Sequence, residues 1–186
     1  LKEINDDLKS DTRMFRIIQG DVGSGKTIVS LLSIANVIDD KYQCALMAPT
    51  EILAKQHFLL AKKIFINTKI KIEFLSGKTE LKDRKKILKD LEGGNIHFII
   101  GTHSLFQKKI NFKNLGLAVI DEQHKFGVKQ RSELAKKGGN NCDVLLMSAT
   151  PIPRTMMMSL YGDMDISKIS EKPANRKKII TLSKPE

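Results

Sequence analysis

With 186 residues, 41% of them hydrophobic, the chain can build one well-formed core and is too short for two, so a single domain is expected. No run reaches the ~18–20 continuous apolar residues that span a bilayer, and no basic-plus-apolar leader opens the chain, so a soluble, cytoplasmic protein with no membrane partner is expected. The formal charge of +11 permits a polyanionic partner, but much of it comes from lysine pairs (62–63, 85–86, 108–109, 136–137, 177–178) that a solvated face explains about as well, and two Tyr with no Trp give a broad base-stacking platform little support.

In chain order, the first element is an apolar strand at residues 15–19. It is followed by Gly20, Asp21, Val22, Gly23, Ser24, Gly25, Lys26 and Thr27, a complete G-x-x-x-x-G-K-[ST] loop, and then by helical spacing over residues 28–35. Strand, loop and helix together are the context in which this motif binds a nucleoside triphosphate. The glycines let successive N–H groups face one point, and the helix directs the positive end of its dipole there. Lys26 is placed to reach the β- and γ-phosphates and the Thr27 hydroxyl to sit on a magnesium ion.

Short β-rich runs then recur at 44–48, 71–75, 97–101, 117–120 and 144–147. Helical spacing covers residues 50–64, 80–91 (ended by Gly93 and Gly94) and 128–137 (closed by Gly138 and Gly139), whereas 102–115 shows no convincing full helix. Alternating strands and helices predict an α/β fold, a mostly parallel sheet with helices on both faces and its ligands at the carboxyl ends of the strands. The pattern weakens from Ser167 into a connector around residues 171–178, with a short strand at 179–182. Cys44 and Cys142 lie within apolar runs and read as core residues rather than a disulfide or metal pair. The spacing of His57, His97 and His103 does not suit zinc.

A second motif closes the strand at 117–120 with Asp121, Glu122, Gln123 and His124. A phosphate-loop enzyme needs an acid here for magnesium and a neighbouring base for the attacking water; Asp121 takes the first role and Glu122 the second. A third run, 144–147, ends in Ser148 and Thr150, hydroxyls that either couple to the second motif or simply cap a helix before Pro151.

The strings at residues 20–27, 48–57 (APTEILAKQH), 76–79 (SGKT), 101–107 (GTHSLFQ), 121–131 (DEQHKFGVKQR) and 147–155 (MSATPIPRT) stand in the order of the motifs of superfamily 2 DExH-box helicases. Within that superfamily the chain resembles the RecG family of bacterial ATP-dependent DNA helicases, which remodel stalled replication forks and recombination junctions in DNA repair and recombination. The resemblance covers nearly the whole chain, and the DEQH string favours it over the Mfd family of transcription-repair coupling translocases. It implies a RecA-like motor domain over residues 1–166, with 167–186 leading towards a second motor domain. It also implies ATP and Mg2+ on residues 20–27, hydrolysis supported by Asp121 and Glu122, and coupling to movement through His124, Ser148 and Thr150. Backbone contacts to DNA are implied for Pro49, Thr50, Gln56, Ser76, Gly77, Gly101, Thr102 and His103. Members of the family carry an OB-fold wedge and a second RecA-like domain with an arginine finger, so the chain reads as an excised first motor domain that is monomeric, hydrolyses ATP slowly alone and binds DNA weakly without junction preference. A standalone phosphate-loop kinase would need an Arg-rich lid, and none is visible. A module that binds nucleotide without hydrolysing it is the remaining alternative, separated from the first reading by whether Glu122 acts.

Overall fold

A computed structural model describes residues 1–107, 110–122, 142–150 and 164–170. Helix α1 (Lys2–Leu8) precedes strand β1 (Phe15–Gly20), and α2 (Lys26–Asp39), β2 (Gln43–Met47), α3 (Glu51–Ile64), β3 (Ile72–Leu75), α4 (Leu81–Glu92) and β4 (Phe98–Gly101) alternate after it. A single 3-10 turn, His103–Phe106, leads to β5 (Leu115–Ile120), followed by β6 (Asp143–Ser148) and β7 (Asp165–Ile169). The described strands form one sheet in the order β3-β4-β2-β5-β6-β1-β7, and every pairing in it is parallel. The expected helix at 128–137 and the expected strand at 179–182 lie outside the described residues.

Alternation along the strands sorts side chains into two cores, one on each face of the sheet. Ile18, Cys44, Leu46, Leu117, Val119 and Met147 point to the face covered by α1, α2 and α3. Ile17, Ala45, Met47, Ala118, Ile120 and Leu146 point to the other, where α4 packs through Leu91, Ile87 and Leu88. β2, β4 and β5 are buried along their whole length, as central parallel strands must be. Both cysteines are fully buried and free; burial raises the Cys44 thiol well above its ordinary range and pushes Cys142 up to about 12.

Three differences from the sequence-based expectation have local causes. β5 begins at Leu115 rather than 117 because Gly116 continues the strand; a Cβ there would come within 2.7 Å of the Tyr42 side chain, so the close approach requires glycine. β7 was expected to be connector beyond Ile166, yet Ser167, Lys168 and Ile169 pair with β1, and the boundary at 166 falls inside the strand. As an edge strand of half-exposed residues it carries little apolar signal. α1, which no periodicity announced, buries Ile4 and is tied down by Arg16. From β1 that guanidinium donates to Asp7 at 2.6 Å and to Ser167 Oγ at 3.0 Å, with Glu3 at 3.5 Å and Asp165 at 3.7 Å. Burial works against the Arg16 charge, but the bond to Asp7 and the charges of Asp7, Asp165 and Glu3 outweigh it and raise its pKa.

Buried Gln43 joins the loops at the amino ends of the strands. Its amide donates to Leu91 O at 2.9 Å and Ile96 O at 2.7 Å, while Oε1 accepts from Lys113 N at 2.8 Å and Asn114 N at 3.0 Å. All four hydrogen-bonding positions of the amide are used. Gln43→Leu keeps the volume but removes the amide partner of Ile96 O and of the Lys113 and Asn114 N–H groups, whereas Leu91 O keeps the Gly94 N–H; we expect a loss of about 2–4 kcal/mol, read as a lower urea midpoint.

Candidate nucleotide site

β6 lies between β5 and β1, so the loops that follow these three strands emerge side by side. At about 4.8 Å per strand, the ends of β5 and β1 stand roughly 10 Å apart. Register places Ser148 beside Gln19, one residue before the phosphate loop.

The loop is shaped by backbone that favours glycine. Gly23 has φ 82° and Gly25 has φ 96°, and Gly25 is also the N-cap of α2, without any side-chain cap. The amino end of α2 therefore presents its first-turn N–H groups to whatever lies within the loop. A Cβ at Gly20 would come within 2.6 Å of Ser24 Oγ and 3.1 Å of Ile169 in β7, so the loop base also demands glycine. The nearly buried Lys26 ammonium donates to Gly20 O at 2.6 Å and Asp21 O at 2.8 Å, putting a positive charge at the loop's mouth. Among the described residues, Ser24 Oγ is the one buried side-chain oxygen or nitrogen without a hydrogen-bond partner. A cation, a helix amino end and an orphan hydroxyl together make a donor set that fits a polyphosphate. Thr27, in the first turn of α2, is half-buried.

Asp121 continues the alternation of Leu117 and Val119 and so faces the side of the sheet covered by α2 and α3. Its N–H donates to Met47 O at 2.8 Å, anchoring the strand end to β2. Both carboxylate oxygens are engaged: Oδ1 accepts from Glu122 N at 2.9 Å, and Oδ2 accepts from His57 Nε2 at 2.7 Å. Each oxygen keeps a further lone pair for a water or metal. Glu122 has φ 49°, a left-handed backbone that a non-glycine residue adopts at a cost. The expected coupling residue His124 lies outside the described residues. Ser148 Oγ is buried and bonds within its own turn, to Thr150 O at 3.0 Å and from Thr150 N at 3.3 Å, whereas Thr150 is exposed.

The residues assigned to DNA contact fall along the same edge, after β2, β3 and β4, but they are not equally presented. Thr50 caps α3, accepting from Leu53 N at 3.3 Å, and Thr50, Gln56, Gly77 and His103 are exposed while Pro49 is half-buried. Ser76 and Thr102 are buried: Ser76 Oγ accepts from Lys78 N at 3.2 Å, and Thr102 Oγ1 lies 3.5 Å from Ser104 Oγ. A Cβ at Gly101 would stand 2.1 Å from Leu75 O, so packing of β4 on β3 already requires glycine there. Sequence reasoning missed His57, which it weighed only as a zinc ligand. The usable signal was a histidine in step with Ala54 and Ala61 on the buried stripe of α3.

Residues 4–159 match the family model for the DEAD/DEAH box helicase. The chain belongs to the DEAD/DEAH box helicase family. This helicase domain is 50% identical over 182 residues to the ATP-dependent DNA helicase RecG of Aquifex aeolicus, an alignment covering 97% of the chain and 23% of that protein. It is 47% identical over 184 residues to RecG of Thermotoga maritima, with 99% and 24% covered. A solved structure of RecG bound to a three-way DNA junction superposes with a TM-score of 0.81 at 42% identity, over 96% of this chain and 24% of that one. The helicase MrfA bound to DNA gives a TM-score of 0.67 at 18% identity, a likeness of fold. The chain thus spans about a quarter of the length of these RecG relatives. The all-parallel sheet of this family member is the expected RecA-like fold, and the named relatives favour RecG over Mfd.

Because Gly101 approaches the Leu75 carbonyl so closely, Gly101→Ala should cost about 3 kcal/mol by prising β4 from β3. Thermal melting checks the stability loss, which a residue used only for DNA contact would not show.

Proposed function

We propose that the chain is the first motor domain of a RecG-type ATP-dependent DNA helicase, acting on forks and junctions in the cytoplasm. The observation that carries this reading is that the phosphate loop of β1 and the Asp121-Glu122 pair of β5 share one sheet edge, with one strand between them. When bound, ATP supplies the anhydride to be cleaved, and Mg2+ offsets the charge that builds on its phosphates. The N–H groups at the start of α2 and the Lys26 ammonium hold the β- and γ-phosphates. Thr27 Oγ1 and Asp121 hold the metal and its waters. Glu122, beyond the end of β5 and next to Asp121, orients the attacking water and takes its proton on a carboxylate oxygen. His124, Ser148 and Thr150 are assigned to coupling: Ser148, at the end of the strand between the two half-sites, relays any shift of one to the other.

The nucleic-acid surface is assigned to the edge beyond β2, β3 and β4. Thr50, Gln56, Gly77 and His103 offer exposed groups suited to backbone contacts that carry no sequence information. Pro49 and Gly101 shape this edge, and Ser76 and Thr102 hold its turns, reaching a strand only through backbone groups or a rearranged loop. The excess of lysine strengthens such binding without directing it.

Lys26→Ala should weaken ATP binding by about 10–100-fold, the worth of a charge-assisted bond of ~1.5–3 kcal/mol, in isothermal titration; unchanged affinity would remove Lys26 from the site. Glu122→Gln should retain magnesium-ATP binding and abolish hydrolysis, whereas Asp121→Asn should raise the magnesium midpoint. Magnesium titrations of nucleotide binding in both variants, with turnover measured at saturating magnesium, separate the two roles; equal shifts in the midpoint with hydrolysis surviving in Glu122→Gln would refute them. Affinity for single-stranded DNA should fall with salt at roughly 0.7 log units per phosphate contact per decade, a slope that anisotropy at several salt concentrations would measure.

A further inference from the structure

α3 leaves the edge beside β2 with exposed Thr50 at its cap and exposed Gln56 two turns on, the groups assigned above to a DNA backbone. One residue after Gln56 the same helix turns His57 inward. The imidazole is buried, with 5% of the residue exposed, and it lies against the end of a strand that α3 does not follow in sequence. Small residues make that approach possible: Ala54 and Ala61, one turn to either side on the buried stripe, are fully buried and let the helix sit close to the sheet. An ionised carboxylate only accepts, so in the 2.7 Å contact His57 Nε2–H donates to Asp121 Oδ2.

The bond has a specific consequence for the acid. Asp121 Oδ1 is already held by the Glu122 N–H, and a carboxylate fixed at that oxygen alone can still swing the other. With His57 on Oδ2 both oxygens are held, and the plane of the group is set jointly by the strand end and by α3. A displacement of α3 is therefore felt at Asp121 through one hydrogen bond, without passing through the sheet.

We propose that His57 is a positioning residue for Asp121, and that it is the link through which a DNA strand bound on α3 alters the metal site. The inference rests on the assignment of Asp121 to metal and of α3 to DNA made above. It assigns His57 no contact with nucleotide or metal.

Manganese binding to the chain with a non-hydrolysable ATP analogue, followed by electron paramagnetic resonance, provides a readout apart from turnover. His57→Phe keeps the bulk of the ring and removes the donor, and should weaken manganese binding by about ten-fold while leaving metal-free affinity for the analogue unchanged. His57→Gln restores an N–H donor and should return most of the loss. Addition of oligo-dT should change the metal affinity of the unaltered chain by at least ~5-fold, and this effect should vanish in His57→Phe while the oligonucleotide still binds. Equal losses in the Phe and Gln variants, no loss in either, or a strand effect that survives in His57→Phe would overturn the proposal. In the unaltered chain labelled with 15N-histidine, the Nε2–H resonance of His57 should move when Mg2+ joins the analogue, a signature independent of how the variants fold; a stationary resonance would also overturn it. Failure of the unaltered chain to bind the analogue at all would instead strike the nucleotide reading itself.

Discussion

Parallel pairing of β5, β6 and β1 is the constraint on which the site depends. Parallel strands send all their carboxyl ends to one edge, and the order β5-β6-β1 leaves one strand between the loop that follows β1 and the acids that follow β5. Alternation then decides which way each end residue faces. Leu117 and Val119 belong to the core beneath α2 and α3, so the next residue of that parity, Asp121, must point to the same side. That side also carries α2, whose first turn holds Lys26 and Thr27. A one-residue slip of β5 would turn the Asp121 carboxylate to the opposite face, away from His57 and α2.

Three buried polar side chains show how a sheet with two apolar cores is tied to its periphery. Arg16 joins β1 to α1 and to edge strand β7; Gln43 joins β2 to the turns after α4 and before β5; His57 joins α3 to the end of β5. Each would be expensive alone in an apolar interior and is matched by partners of suitable charge or geometry. Their positions differ in kind. Gln43 sits at the amino ends of the strands, away from the loops that bear chemistry, and its four bonds only fix architecture. His57 sits at the carboxyl ends and spends its bond on a group with an assigned role.

The parts legible in the sequence were those with repeated local signals. Six strands appeared as apolar runs, and α3 and α4 appeared from periodicity joined to Thr50 at one start and Gly93-Gly94 at one end, where Gly94 takes φ 80°. The phosphate loop was legible because its glycines, lysine and threonine are consecutive. What escaped was specified by distant partners. β7 is a strand because β1 has an open edge beside it, and nothing in residues 165–169 says so. α1 is held by Arg16, whose acidic partners lie nine and more residues away along the chain. Ser76 and Thr102 read as hydroxyls ready for a phosphate, but turn geometry folds them inward, and spacing alone does not report that.

Glu122 follows the acid at the end of β5 in a left-handed backbone, φ 49°. A left-handed φ at a non-glycine residue costs of the order of 1–3 kcal/mol, and a turn of glycine or asparagine at this point would avoid it. Two hydrogen bonds offset that cost: the Asp121 N–H donates to Met47 O on one side, and the Glu122 N–H donates to Asp121 Oδ1 on the other. The second bond joins the Asp121 carboxylate to the peptide N–H that immediately follows it. The strained residue and the oriented acid thus meet at one peptide unit. Without that bond, the contact from His57 Nε2 to Oδ2 would be the one side-chain restraint left on the Asp121 carboxylate among the described residues, so the strand end and α3 together fix the plane of the acid.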